Sequence, residues 1–459
     1  NSATCEPPEA KANLKEETIR IESVLAKRAG NPYAGEVTYA QRCAAPPATN
    51  SFTKGAPLVP ISPPTNAMTL ALCSPASSTL TSRYAKDSPI STSLNLSCCR
   101  CHFVNTSLPL FLAFLATQIA AKPSASLKNP LPAKAYRVPK ETVSEESGYF
   151  SIIEGKNGKL YLGTAKYGSN AYLVEFDPRE ETMGIAVDAH KEIGTKATGF
   201  AAQAKIHTRN NVGESGKIYF GTKQGYPQKG EVRKSYLGGY PMWYDPATRK
   251  TEVYPIPIKH QGIISVTPDE SRGIAYLSTC SDERPVESAH FLVLDLETGH
   301  YRDLMDCRHM YAFIALDHKG RAYHPVLGGD IARYDPNEKK LSRIPQTIDG
   351  KPPTPESLLA HENSHPINWD FTPDRKTLYA IAMSGNQLYH YDLMASEKAM
   401  RGESLGKLLP HAAQTDCRAM CVGPTGTVWA VVLEKGKHLH LVSYRKGDQA
   451  LRDHGELFV

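Results

Sequence analysis

The sequence contains no run of about 20 apolar residues, the length a membrane-crossing helix needs. It also lacks a basic helix or a Lys/Arg run. Its 53 Lys and Arg stand against 47 Asp and Glu, a net charge of +6 over 459 residues. These absences exclude a stable membrane-spanning helix and argue against a nucleic-acid partner. The small positive excess suits weak attraction to an anionic polymer. Cysteine is sparse where the chain is most regular. Beyond residue 102 only Cys280, Cys307, Cys417 and Cys421 occur. Four scattered thiols do not make a disulfide framework.

Residues 1–102 lack periodicity of either kind beyond a short charged piece near Ala10–Arg28. They are rich in Ser, Pro, Ala and Thr, and such a stretch buries too little apolar surface to offset ordering entropy. Residues 1–102 are therefore expected to be a low-complexity segment, disordered or outside the mature protein. Residues 103–121 contain Leu108-Pro-Leu-Phe-Leu-Ala-Phe-Leu-Ala-Thr-Gln-Ile119, followed by Ala120 and Ala121. This has the length and the small-residue ending of a signal peptide's apolar core, and a secreted or periplasmic location is expected. Cys98-Cys99-Arg100-Cys101-His102 fits the pattern for covalent haem attachment. It would be removed with the leader, so haem is not expected.

From Gly148 onward one pattern recurs. A Gly or Asp turn leads into a short strand with an aromatic, and a later strand ends in an aromatic or Leu before Asp. The copies include Gly158-Lys-Leu-Tyr-Leu-Gly-Thr164 with Phe176-Asp-Pro178, and Gly216-Lys-Ile-Tyr-Phe-Gly-Thr222 with Tyr244-Asp-Pro246. The anchor aromatics are Tyr161, Tyr219, Tyr276, Tyr323, Tyr379 and Trp429, spaced 58, 57, 47, 56 and 50 residues apart. Periods near 40–50 with four short strands each point to an all-β fold, a β-propeller over residues 135–459. Six repeats are recognisable. Asp453-His-Gly-Glu-Leu-Phe458 reads as the opening of a further strand, so a seven-bladed ring with its last blade truncated is expected. A six-bladed ring closed near Ala135–Glu141 is the alternative.

In a propeller the starts of the innermost strands, the ends of the second strands and the second-to-third loops open on one face. Innermost-strand starts supply Tyr149, His207, His260, Arg308 with His309, His365 and Arg418. Second-strand ends supply Lys223, Gln224 and Cys280. The long loop of the second repeat adds Tyr226, Arg233, Lys234, Tyr236 and, just beyond, Tyr240. A converging set of His, Arg, Lys and Tyr suits an anionic ligand. Cys280, Cys307 and His309 also converge. They read either as a structural zinc site or as buried thiols acting as small hydrophobes.

Lys205-Ile-His-Thr208, Gly216–Thr222, Tyr236-Leu-Gly-Gly-Tyr240 and Trp243-Tyr-Asp-Pro246 resemble secreted seven-bladed propellers that include ulvan lyases. The resemblance implies catalytic His, Tyr and Arg side chains near the channel mouth, with a structural zinc nearby, and it matches His207 to the catalytic histidine. The chain departs from the pattern at Lys223 and Tyr240, where histidines are expected.

Cleaving a uronate by β-elimination needs a base, a cation or donor for the carboxylate and an acid for the leaving oxygen. His207 or Lys223 would be the base, Arg308 or Arg233 the carboxylate holder and Tyr240 the acid. His260, His365 and Arg418 would bind substrate. The expectation is thus a monomeric, secreted propeller acting on an acidic polysaccharide. The alternatives are a non-catalytic glycan- or protein-binding propeller and a redox propeller.

Overall fold

Each repeat aromatic lies on a strand whose neighbours alternate inward and outward, so no single four-stranded sheet can cover both of its own faces. In the computed structural model this is solved by stacking sheets around an axis. The structure describes residues 68–69, 131–144, 146–282, 288–308, 313–354, 367–382, 386–413, 415–435 and 438–458. The low-complexity segment apart from the strand Met68–Thr69, the signal-like segment, the haem motif, His309 and His365 lie outside them.

The chain is a β-propeller. Six four-stranded antiparallel units follow one another: 146–188, 211–253, 262–306, 315–348, 367–407 and 415–458. They are called blades 1 to 6 below. The innermost strand of blade 6 lies against that of blade 1, so six blades close the ring. This corrects the expectation of a seventh. Residues 453–458, read as the start of another blade, belong to the outer strand Arg452–Phe458 of blade 6. That strand pairs His440 with Glu456 and Ser443 with Arg452. The misreading came from the sixth repeat, where Tyr444 is followed by Arg445 instead of Asp and the turn signal is lost. Closure does not use the stretch 135–141 as a strand of the ring either. Leu131–Pro132 pairs in parallel with Leu457–Phe458 at the outer edge of blade 6. Tyr136 then packs on Phe176 of blade 1, with ring centroids 4.6 Å apart. The segment is a strap across the seam. A second irregularity joins blades 4 and 5. Their outer strands pair in parallel, Gln346 to Met400 through Ile348 to Gly402.

The repeat aromatics do the interblade packing. Tyr161 of blade 1 meets Tyr244 of blade 2, Tyr276 of blade 3 meets Tyr334 of blade 4, and Tyr379 of blade 5 meets Tyr444 of blade 6. Each pair has ring centroids 6.1 Å apart, tilted or edge-on. At two further seams, Tyr219 packs in one cluster with Leu294, and Tyr323 in one cluster with Tyr391. One rule covers these five: the second-strand tyrosine packs on the third-strand residue that precedes the turn of the next blade. In blade 6 the corresponding Trp429 instead stacks on His454 of its own blade, with ring centroids 5.3 Å apart.

The Asp of each repeat sets that turn. The Oδ1 atoms of Asp177, Asp245, Asp295, Asp335 and Asp392 accept backbone N–H bonds from two or three residues ahead, at 2.8–3.3 Å. Such turns are what a short acidic side chain supplies.

Innermost strands diverge from one blade to the next, so side chains replace much of the ladder between them. Ser151 Oγ donates to the Ile206 carbonyl at 2.7 Å, Thr267 Oγ1 to the Ile314 carbonyl at 2.9 Å, and Asn368 Nδ2 to the Cys417 carbonyl at 3.3 Å. Arg209 spans the axis. From the start of blade 2 it pairs with Asp370 of blade 5, Nη2 to Oδ1 at 2.9 Å, and its other nitrogen donates to the Trp369 carbonyl. Asp370 also accepts from the Val422 N–H of blade 6 at 2.9 Å. Among the described residues no helix is long and apolar enough to cross a membrane.

Two outcomes follow from this packing. Replacing Tyr276, fully buried at a blade seam, with Ala should cost about 3–5 kcal/mol, as large-to-small aromatic truncations do. Denaturant unfolding of Tyr276→Ala beside the parent checks it.

His324 is also fully buried. Its Nδ1 faces the Pro325 carbonyl at 2.7 Å and its Nε2 faces Ser278 Oγ at 2.8 Å. Burial pushes the imidazole down to about 4, against about 6.5 in an unfolded chain. The native state therefore holds the neutral ring. Its contribution is complete above about pH 6.5 and is lost as pH falls toward 4, where the unfolded chain takes the proton first. The full loss is about 3 kcal/mol. Stability measured from pH 7 to 4.5 should fall less steeply in His324→Gln than in the parent.

Candidate functional site

The antiparallel order of each blade brings chemically rich positions to one end. The first residues of the innermost strands face the last residues of the second strands: Gly262 opposite Cys280, Thr415 opposite Glu434, and Lys205 bridged to Lys223. The long loop of blade 2 rises from the same end, because it leaves the second strand there.

The densest group lies between blades 1, 2 and 3. Lys205 and Lys223 exchange backbone hydrogen bonds at 3.0 and 2.8 Å, and both side chains are buried. Their surroundings differ. The Lys223 ammonium forms a buried ion pair with Asp282, a residue at the head of the loop that follows the second strand of blade 3. Arg233 Nη1 donates to the Asp282 carbonyl at 3.2 Å. Lys205 Nζ sits 3.8 Å from the centroid of Tyr226 and 4.7 Å from that of Tyr167. Those two rings meet edge-on at 5.2 Å. A lysine against two tyrosine faces is a cation–π arrangement, strengthened by removal from water. Gly262 makes room for this packing. A Cβ there would stand 2.4 Å from Lys223 Cγ and 2.5 Å from Gln224 Oε1.

Tyr236 lies beneath the loop, fully buried, and its hydroxyl donates to Gln203 Oε1 at 2.9 Å. Burial pushes this phenol well above its ordinary value, and Lys223, Tyr240 and Cys280 are close enough to act on its charge. His260 adopts a left-handed backbone with φ of 65° and puts Nδ1 2.6 Å from the Tyr236 carbonyl. From the next residue a polar chain leads outward. Gln261 bonds Ser288 at 2.9 Å, Ser288 bonds Asp306 at 3.1 Å, and Asp306 accepts the Arg308 N–H at 2.9 Å.

The structure brings only some of the expected site residues together. Lys223, Arg233 and Tyr240 come together around Tyr236 and Asp282. His260 lies one hydrogen bond away, exposed, and Arg308 sits at the far end of the polar chain, also exposed. His207 is 4% exposed, two residues beyond Lys205 at the entry to blade 2. Arg418 lies in the innermost strand of blade 6, and its side chain, like those of Tyr149 and His365, is outside the described residues. Of the expected zinc set, Cys280 and Cys307 are buried in two different apolar clusters. Burial pushes the Cys307 thiol up, as for a thiol packed as a hydrophobe. His309 lies outside the described residues.

Sequence reasoning missed Lys205, Tyr167 and Asp282 as members of this group. Asp282 was within reach of the positional rule, since it stands two residues past a second-strand end. Tyr167 follows the second strand of blade 1 in the same way. Lys205 enters the sequence reading only within the segment Lys205-Ile-His-Thr208 that carries the resemblance.

No protein-family model and no curated protein matches the chain. Among solved structures, the chain is similar to the extracellular domain of a hybrid two-component system from B. thetaiotaomicron. That match has 14% identity and a TM-score of 0.40, and it covers 68% of this chain and 36% of that one. It is also similar to the β-propeller domain of Cps50 (Swd1) from Myceliophteria thermophila, at 11% identity and a TM-score of 0.41, over 68% of this chain and 85% of that one. A luciferin-regenerating enzyme matches at 14% identity and a TM-score of 0.34, over 54% of this chain and 75% of that one.

The Lys223–Asp282 pair yields a direct test. Removing one partner of a buried pair leaves the other charge uncompensated, at a cost of about 3–5 kcal/mol. Asp282→Ala should therefore lose that stability in chemical denaturation. The double variant Lys223→Met with Asp282→Ala should recover much of it.

Proposed function

We propose that this face of the propeller acts on an acidic polysaccharide outside the cytoplasm. The observation that carries the reading is the placing of Arg233 and His260, with Tyr226 and Tyr240, at least partly exposed at one end of blades 2 and 3, beside the buried Lys205, Lys223 and Tyr236. Cations interleaved with tyrosines suit a chain of sugar carboxylates, which are held by charge-assisted hydrogen bonds while sugar faces rest on aromatic rings. The signal-like segment at 103–121 supports export.

For β-elimination, the base takes the proton next to the uronate carboxylate and the leaving oxygen takes a proton as its bond to C4 breaks. His207 is the candidate base, Arg233 the candidate carboxylate holder and Tyr240, half-buried, the candidate acid. Lys223 does not suit the base role, because its ammonium is ion-paired with Asp282. That pairing favours a second reading, in which the face binds the polymer without cleaving it.

A panel of uronate-containing polysaccharides separates the two. Cleavage raises ultraviolet absorbance from unsaturated uronate ends, and binding alone gives calorimetric heat without it. On the lytic reading His207→Ala should lose at least a hundredfold in kcat with little change in binding. Arg233→Ala should weaken binding by about tenfold or more on either reading, since a charge-assisted bond is worth about 1.5–3 kcal/mol. Binding to neutral and acidic polymers with equal affinity would remove the proposal.

A further inference from the structure

A second polar cluster lies on the same end of the ring but in blade 6, away from the lysine group. Glu434 is the last residue of the second strand, Val428–Glu434, and His440 the second residue of the third, Leu439–Tyr444. Glu456 on the outer strand pairs with His440 across the ladder. His411 comes from the loop between blades 5 and 6. Asn386 anchors that loop, donating through Nδ2 to the Leu409 carbonyl at 2.8 Å and accepting the Leu409 N–H at 3.0 Å.

The ligand atoms of His411, Glu434 and His440 all lie within 4.8 Å of one another. His411 Nε2 is 3.4 Å from Glu434 Oε2, and His440 Nε2 is 3.9 Å from both Glu434 Oε2 and Glu456 Oε1. His440 is 6% exposed and its Nε2 has no hydrogen-bond partner among the described residues. A buried nitrogen in that state is costly. Were it a protonated donor to these carboxylates, it would stand at about 2.7–3.2 Å from one of them. Two atoms about 2.1 Å from a shared tetrahedral ion stand about 3.4 Å apart, the spacing of His411 Nε2 and Glu434 Oε2, and His440 Nε2 would close by about 0.5 Å to join them.

The other side of the His440 ring is fixed as well. Nδ1 lies 3.0 and 3.2 Å from the two carboxylate oxygens of Asp453. A carboxylate on Nδ1 holds the proton there and turns the Nε2 lone pair toward the gap, the arrangement that supports metal-bound histidines.

We propose that His411, Glu434 and His440 bind a divalent transition-metal ion of the zinc type, with Glu456 beside the remaining position and Asp453 orienting His440. Two imidazoles and carboxylate oxygen suit zinc over calcium or magnesium, which prefer oxygen alone. The ion would tie the loop between blades 5 and 6 to three strands of blade 6. This inference is independent of the polysaccharide reading and of the cysteines near blade 3.

The test uses the full chain, freed of metal by chelation and titrated with Zn²⁺ and, separately, with Co²⁺ as a coloured probe. One equivalent should bind with an affinity that falls at least tenfold in Glu434→Gln and in His411→Ala, and 10–100-fold in Asp453→Asn. The Co²⁺ lost in the variants should show visible ligand-field bands without a thiolate charge-transfer band. His411 is exposed on a loop, so His411→Ala keeps the test valid if a strand variant fails to fold. Equal uptake by the parent and His411→Ala would overturn the proposal, as would variant-sensitive Co²⁺ that carries thiolate absorption.

Discussion

The ring depends on one repeated contact, made at five of its six seams: the second-strand tyrosine of a blade seated against the third strand of the next. A four-stranded sheet leaves two faces exposed, and the hydrophobic term favours covering both. The tyrosine solves this with a single side chain. Its ring fills the seam, and in several blades its hydroxyl reaches the edge of the sheet to meet an acid. Tyr219 donates to Glu270 at 2.7 Å and Tyr323 to Asp317 at 2.9 Å. Phe would give the same burial but remove that donor, leaving Glu270 to Ser215 and Asp317 to Arg321. Because the partner residue precedes the Asp that sets the turn, packing and turn chemistry are fixed by adjacent positions in sequence. The same local instruction can then be repeated around the axis with long insertions between copies.

Such a ring gathers the variable loops at one end, and there the protein buries charge. Lys205 and Lys223 face each other across a backbone bridge, an arrangement that repulsion and desolvation both oppose. Each charge is answered differently, one by the Asp282 carboxylate and the other by tyrosine faces. The cluster around His440 follows the same logic with opposite sign, collecting carboxylates around an imidazole. Polar groups held in place by such balances sit ready for a ligand, since their desolvation is complete before it arrives.

The architecture was legible because its cause is local. Tyr161, Tyr219, Tyr276, Tyr323 and Tyr379 with their Gly turns and Asp stops mark each blade in one dimension. The count failed where the local instruction failed, at Arg445, and the outer strand of blade 6 was read as something new. The strap at Leu131–Pro132 was invisible because a two-residue parallel pairing carries no periodicity. In the site, position along the blade found Lys223, Tyr240 and His260. It could not show that Lys223 is enclosed, because its partner lies 59 residues away on another blade. The His411, Glu434 and His440 group was missed for a related reason. Its members come from a loop, a strand end and a strand start, and only the hairpin geometry of blade 6 brings them within one ion's reach.

A wheel whose segments touch only their neighbours can flatten into an oval at little cost, since each joint need yield only slightly. Arg209 changes that mechanics. Rooted in blade 2 and clasping Asp370 and the Trp369 carbonyl of blade 5, it is a spoke across the hub. Squeezing the ring along one diameter must lengthen another, and the spoke resists stretching along its own. Whatever is held above blades 2 and 3 therefore rests on a braced floor.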